Sequence, residues 1–430
     1  MMRSLYSGVS GLKVHQTKMD VIGNNIANVN TVAYKSNSVT FSEVFYQTTQ
    51  NASGPNAETG KGGQNAMQIG LGTTVGSIST NIETEGASQR TDNPFDLKLS
   101  GNSFFVVNNA GANYFTRAGN FTVDGGGNLV TAGGNTVMGW KADSDGNIVR
   151  DTVKALSVKG PEYTYTTPEA TRNNTVSGNI NKEDSSFANG NPVVFNTKFY
   201  DSLGYSYLAT IEVNQNPDEP MNYTLSVGDI SCEGVKVEGY TIDLDNTDLT
   251  FDESTGEPSL KSFVMTIEVP DGATPIEPIT VDISKLTSYG DATNIVVSTG
   301  DANGLGAGKA VGTMTGVAIS SDGKIVSYYS NGDERTLGQI VVATFANPAA
   351  LEKVGDNLYQ ATLNSGSFDG IGEDVTEGGG SISQGVLEMS NVDLSSEFTE
   401  MITTQRGFQA NSRIITVSDT LLEELIQLKR

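Results

Sequence analysis

The chain has 430 residues, room for about three domains, and its 26 basic against 50 acidic residues leave a net charge of −24. That charge repels phosphate and excludes a nucleic-acid-binding role. One Cys and one His exclude an internal disulfide, a Cys/His zinc site and any mechanism that needs two His. With 37% hydrophobic residues and 49 Gly, the composition is that of an acidic, β-rich protein with little catalytic equipment.

From Ser4 to about Asn28 there is no Pro, and Leu5, Val9, Leu12, Met19 and Ile26 recur at alternating four- and three-residue spacing. Gln16 and Gly23 hold the two missing positions, and Tyr6, Ile22 and Val29 widen the stripe. The spacing predicts an amphipathic helix with a coiled-coil-like seam, about 38 Å long. The run Gly23-Asn24-Asn25, then Asn28, Asn30 and Thr31, ends it, because Asn competes for local backbone hydrogen bonds. Met1–Gln16 lacks the apolar core of a cleaved secretory signal.

Beyond it, Thr48–Gln64 reads as a flexible connector. Phe104–Val107 is a buried-strand candidate, Tyr114–Val123 alternates into Asp124-Gly125, and Asp145-Gly146, Asp322-Gly323 and Asn331-Gly332 are hairpin-type turns. Nine of the twelve prolines fall between Pro161 and Pro278, and residues 201–300 alone carry a net charge of −15. Strands are predicted there at Val193–Tyr200, Leu208–Val213, Tyr223–Val227 and Phe263–Val269, and later at Ile340–Phe345. Ser365–Ser383, with Gly378-Gly379-Gly380, reads as a second connector. No apolar run approaches the roughly 18 residues of a membrane span.

From Leu394 to Leu428 a stronger helix is predicted, about 52 Å long. Leu394, Phe398, Met401, Gln405, Phe408, Ser412, Ile415, Asp419, Leu422 and Ile426 form its seam, with Ile414, Val417, Leu421, Leu425 and Leu428 beside it. Asn391-Val392-Asp393 supplies cap candidates, Glu397 and Glu400 suit the first turns, and Lys429 and Arg430 the last. Residues 1–40 carry a net +3 and residues 391–430 a net −2, complementary signs for pairing. Polar residues in the seams argue for helices with several neighbours over a simple intramolecular hairpin.

The fold class expected is mainly β with long terminal α-helices, in nested discontinuous domains. These are a helical domain of residues 1–30 plus 391–430, a connector region of 31–75 plus 365–390, a β-rich body of 76–167 plus 291–364, and an inserted acidic β domain at 168–290.

Local chemistry is sparse. Asp143-Ser144-Asp145-Gly146-Asn147 begins like a calcium loop, but Lys154 stands where the closing Glu belongs, so a solvated turn is expected. Gly70-Leu71-Gly72 and Gly304-Leu305-Gly306-Ala307-Gly308 lack the Lys-Ser/Thr ending of a phosphate loop. His15 is expected at a surface or inter-subunit contact, and Cys232 in a strand or loop. No catalytic residue, metal ligand or cofactor site emerges.

Two motifs carry a resemblance. Leu5-Tyr6-Ser7-Gly8-Val9-Ser10-Gly11-Leu12 with Asn24-Asn25-Ile26-Ala27-Asn28-Val29-Asn30-Thr31, and Ser390–Leu394 with Gln405-Arg406-Gly407-Phe408-Gln409-Ala410-Asn411-Ser412, resemble the terminal signatures of bacterial flagellar rod and hook proteins. Thr116–Phe121 and Ala346-Asn347-Pro348 extend the resemblance into the body. Phe199–Gly204 and Val281–Thr287 are similar to hook segments, whereas rod proteins are shorter and usually lack the insertion. Ala33 departs from the family, which usually has Gly there. The resemblance implies a structural subunit of the flagellar hook, not an enzyme: a curved tube acting as a universal joint between rod and filament. Paired terminal helices would line its inside, and the inserted domain would face outward. It further implies flagellar type III export, with no cleaved signal and no membrane insertion. The implied partners are the chain itself, a hook cap protein, a distal rod protein and a hook–filament junction protein. A distal rod protein and, less so, a secreted β-rich adhesin are the alternatives.

Overall fold

The structure, a computed structural model, describes residues 2–55, 60, 62–144, 146–270, 274–377 and 379–428. Asp145, Gly378, Lys429 and Arg430 lie outside the described residues, as does part of Thr48–Gln64. Helix α1 spans Met2–Ala27 and helix α2 spans Leu394–Gln427. Asp393 caps α2, its side chain accepting from Ser395 N at 2.9 Å, which satisfies one of the donors a helix start leaves open. The regular structure of the remainder is almost all strand, so the expected class holds.

The chain divides into two compact units. One comprises Met1–Gly160, Val317–Val326 and Arg335–Arg430; the other comprises Pro161–Gly316 and Ser327–Glu334. In the first, an antiparallel sheet runs through Gly338–Ile340, Thr136–Lys141, Phe104–Asn109, Ala112–Thr116, Leu358–Gln360 and Glu352–Gly355. Phe104, Val106, Phe115, Trp140, Val341 and Tyr359 fill its core. Phe104–Val107 is wholly buried, and so reads as a continuous apolar run. Trp140, the chain's one Trp, donates its Nε1–H to Ile371 O at 3.1 Å.

The second unit holds two five-stranded sheets over one core, which includes Val176, Phe199, Ile211, Tyr223, Phe263 and Val281. Val193–Tyr200 buries Phe195, Thr197 and Phe199 in alternation, as the two-residue period of a one-sided sheet requires. Asn294–Thr299 pairs with Asn173–Asn179, which carries this body past residue 290.

The first connector, Thr48–Gln64, is strand to Gln50 and bridged once more between Ser53 and Gln64; the second is not loose chain. Four strands, β1 (Asn37–Glu43), β2 (Tyr46–Gln50), β3 (Met67–Gly70) and β4 (Thr73–Thr80), make a ribbon in which β1 pairs β4 and β2 pairs β3. Ser365–Ser383 is packed on the body: Ser365 and Val375 are fully buried, and Gln339 Nε2 donates to Asp374 Oδ2 at 3.0 Å. The glycines there serve close approach. A Cβ on Gly372 would sit 2.1 Å from Val341 Cγ1, and its φ of +74° favours glycine.

Candidate assembly surface

Helices α1 and α2 run antiparallel and close together. Gly8 lies against Ile415, Gly11 against Asn411, and Gly407 against the His15 ring. A Cβ on Gly11 would stand 2.7 Å from Asn411 Nδ2, and one on Gly407 the same distance from His15 Cε1 and Nε2. These glycines therefore set how near the helices come. Lys18 Nζ meets Glu400 Oε2 at 3.0 Å, and Asn25 Nδ2 donates to Glu397 Oε1 at 2.9 Å. Burial lifts the Glu397 carboxyl above its ordinary range.

The α2 seam differs from the periodic expectation. Met401, Phe408, Ile415 and Leu422 are half-buried, and between them Glu397, Thr404, Asn411 and Ser418 also turn inward, with Thr404 and Ser418 fully buried. Leu394, Phe398, Gln405, Asp419 and Ile426, predicted in the seam, are exposed. The parallel row of Ile402, Ile414, Val417, Leu421 and Leu425 is exposed as well, Val417 at 58% and Leu425 at 50%. On α1, Ile22 is buried, Leu5, Leu12, Met19 and Ile26 are half-buried, and Val9 is exposed. The pair thus covers its half-polar row and leaves the more apolar row facing water, an exposed apolar stripe of the kind that marks an interaction surface.

The ribbon packs against α1. Phe41 of β1 meets His15 edge-on, with ring centroids 5.7 Å apart. Gly72 sits where a Cβ would strike Ser10 Oγ, so the Gly70-Leu71-Gly72 corner is a close approach to α1. Phe45 is 84% exposed, and Tyr46, Met67 and Ile69 are also open.

Beneath the helices lies a buried junction that periodicity does not reveal. Glu388 Oε1 accepts from Lys35 Nζ at 2.8 Å and from Gly86 N at 3.0 Å, and Arg117 Nε stands 3.5 Å from Glu388 Oε2. Lys35 Nζ also donates to Thr84 O at 2.8 Å, and Arg117 donates to Ser103 O at 2.6 Å. All three charged side chains are about 1% exposed or less. Burial pulls the Lys35 ammonium below its usual range, with Glu388 opposing. Asn391 ties the same layer: its Oδ1 accepts from Ser36 N at 2.8 Å, and its Nδ2 donates to Asn81 O at 2.9 Å. The cluster joins the segment leaving α1, the segment entering α2, and the β body.

Among the described residues, no group of three or more His, Cys, Asp or Glu is placed to hold a metal, and no helix is long and apolar enough to cross a membrane.

Comparison with known proteins matches three parts of the chain. Residues 5–35 match the flagella basal body rod protein family, residues 98–181 the flagellar hook protein FlgE/F/G D1 domain, and residues 383–428 the flagellar basal body rod FlgEFG protein C-terminal family. The flagellar hook protein FlgE of Borreliella burgdorferi is 39% identical, with all of both chains covered. The chain belongs to the flagellar hook protein FlgE family. The FlgE of Treponema pallidum is 34% identical over all of both chains. The flagellar basal-body rod protein FlgG of Bacillus subtilis is 30% identical, also over all of both chains. As in the FlgE family generally, the place of action is the bacterial flagellum, and the role is structural.

The FlgE-family motif residues have structural tasks here. Ala27 closes α1, and Asn28, Val29 and Asn30 form the turn after it. Thr31 Oγ1 donates to Asn28 Oδ1 at 3.0 Å. Asn411 fills the notch over Gly11, Phe408 is half-buried, and Gln405 and Arg406 are exposed. Ala33, where the family usually has Gly, has φ +56° and donates its N–H to Glu388 O at 2.8 Å. Lys35, Glu388 and Arg117 are what residue patterns missed. Each lies inside or beside a motif, but nothing local announces that a carboxylate more than 300 residues away will meet Lys35.

Proposed function

We propose that this chain is a hook subunit that polymerises through the α1–α2 pair into the curved tube joining rod and filament, and that it is not an enzyme. One observation carries the reading: the exposed apolar row of α2 from Phe398 to Leu428. Covering a Leu or Phe side chain yields roughly 1.5–3 kcal/mol, and an isolated helix is marginal in water without a packed face. Neighbouring subunits supply that cover, so helix order at both ends is completed on assembly. The acidic inserted body then faces outward, where like charge discourages lateral association. By family membership, the further partners are a hook cap protein, a distal rod protein, a hook–filament junction protein and the flagellar type III export apparatus.

Val417→Asp combined with Leu425→Asp tests this. The pair should abolish sedimentable polymer while Trp140 fluorescence still reports a folded body; polymer of normal yield would sink the reading. The full-length likeness to FlgG supports one second reading, a distal rod subunit. Electron microscopy of flagellar bases from a deletion strain separates the two: complete rods without hooks support the hook, and truncated rods the alternative.

A further inference from the structure

The chain's one histidine stands where α1, α2 and β1 meet. Its ring tip lies over Gly407, its flank takes the Phe41 edge at 5.7 Å and 87°, and its Nδ1 is buried with no hydrogen-bond partner. The charged neighbours are few. Lys18 follows on α1, and on α2 Glu400 is already held by Lys18 at 3.0 Å. Glu397 on α2 is engaged by Asn25. β1 brings the Phe41 ring and, two residues on, Glu43, which accepts from Tyr46 Oη at 2.6 Å. Such a notch suits a neutral imidazole. An imidazolium would put an N–H on Nδ1, which is buried with no acceptor, beside the Lys18 ammonium.

We propose that His15 is a proton-sensitive latch on the α1–α2–β1 packing: the neutral ring closes the helix pair, the protonated ring opens it, and acidification below neutrality weakens the polymer. The proposal rests on the assembly reading above. Its sign follows from the site. Burial, then Lys18, pull the His15 pKa below its ordinary 6.5, so the folded state binds this proton less readily than the unfolded chain. The ring's contribution is whole above about pH 6.5, and it is lost as pH falls from there through the lower folded value. Histidine-free variants isolate the ring, because Glu397, lifted above its ordinary range by burial at the same helix pair, titrates in them as in wild type. His15 is the one side chain with an ordinary pKa between about 5 and 8, and Lys353, pulled to about 8 by burial, titrates equally in wild type and in the histidine-free variants.

The experiment assembles full-length chain at pH 7.5 and follows polymer and helical circular dichroism down to pH 5.5. Wild type should show a several-fold rise in critical concentration, and the single imidazole NMR signal of assembled protein should titrate below 6.5. His15→Phe, which keeps a ring in the notch but takes no proton, should hold its critical concentration constant, with His15→Leu as a second variant if Phe fits poorly. Equal acid sensitivity in these variants, or an imidazole midpoint at or above 6.5, overturns the latch and leaves assembly standing. Failure of wild type to polymerise at pH 7.5 overturns the assembly reading, and the latch with it.

Discussion

The Lys35 ammonium and the Glu388 carboxylate, 353 positions apart in sequence, meet at 2.8 Å in the interior of the first unit. Their contact closes the chain's two ends onto the same layer of the β body. Arg117 makes the cluster a charge triad, and desolvating such a group is tolerable only while every member is present.

Removing the carboxylate should therefore cost far more than a surface ion pair. Glu388→Gln leaves Lys35 and Arg117 buried without a counter-charge, for an expected loss of about 3–5 kcal/mol. Denaturant unfolding read at Trp140 measures it. A loss below about 1 kcal/mol, the scale of an exposed pair, would show that water reaches the cluster.

Ala33 gives a second test. It is 2% exposed at φ +56°, a conformation that costs an L-residue roughly 1–2 kcal/mol. Ala33→Gly relieves that strain but removes a buried methyl and adds unfolded-state freedom. The terms oppose, and the expected net change is within about 1 kcal/mol. Ala33→Val adds β-branching where it is least tolerated and should destabilise by about 2 kcal/mol or more. Equal melting temperatures for Val and Gly would refute the assignment of strain.

Glycines in α1 should divide by environment. Gly23 has nothing within 4 Å of its would-be Cβ, so Gly23→Ala should raise helix stability by about 1 kcal/mol. Gly11→Val should instead push α2 away through Asn411 and suppress assembly. Thermal melting of assembled protein separates the two, and assembly at wild-type yield by the Val variant would contradict the close approach.

Asp201 in the second unit is fully buried, its Oδ1 accepting from Leu203 N at 3.0 Å and Tyr205 N at 2.9 Å. Asp201→Asn keeps that acceptor and should be mild, whereas Asp201→Ala orphans two donors and should cost about 1–3 kcal/mol. Hydrogen exchange at residues 203–205 reads the difference; identical exchange in the two variants would mean that the turn does not depend on this oxygen. Neither variant should affect polymer formation as Val417→Asp with Leu425→Asp does.

The sequence by itself determined the two terminal helices almost to the residue, the β character of what lies between, the short stretch holding the α2 cap and the family. These follow from period, turn chemistry and short motifs, all properties of neighbouring residues. The tertiary structure alone decided which residues of α2 complete its inward face. Periodicity places Met401, Phe408, Ile415 and Leu422 in the seam, as found, but alternates them with Phe398, Gln405, Asp419 and Ile426, which are exposed; Gly8, Gly11 and Gly407 let the backbones approach so that Thr404, Asn411 and Ser418 turn inward instead. It alone brought Lys35, Arg117 and Glu388 together, because a buried charge is stable only beside partners that distant parts of the chain provide. It also turned glycine-rich Ser365–Ser383 into packed structure, since glycine permits close contact as readily as it permits freedom, and the neighbours settle which.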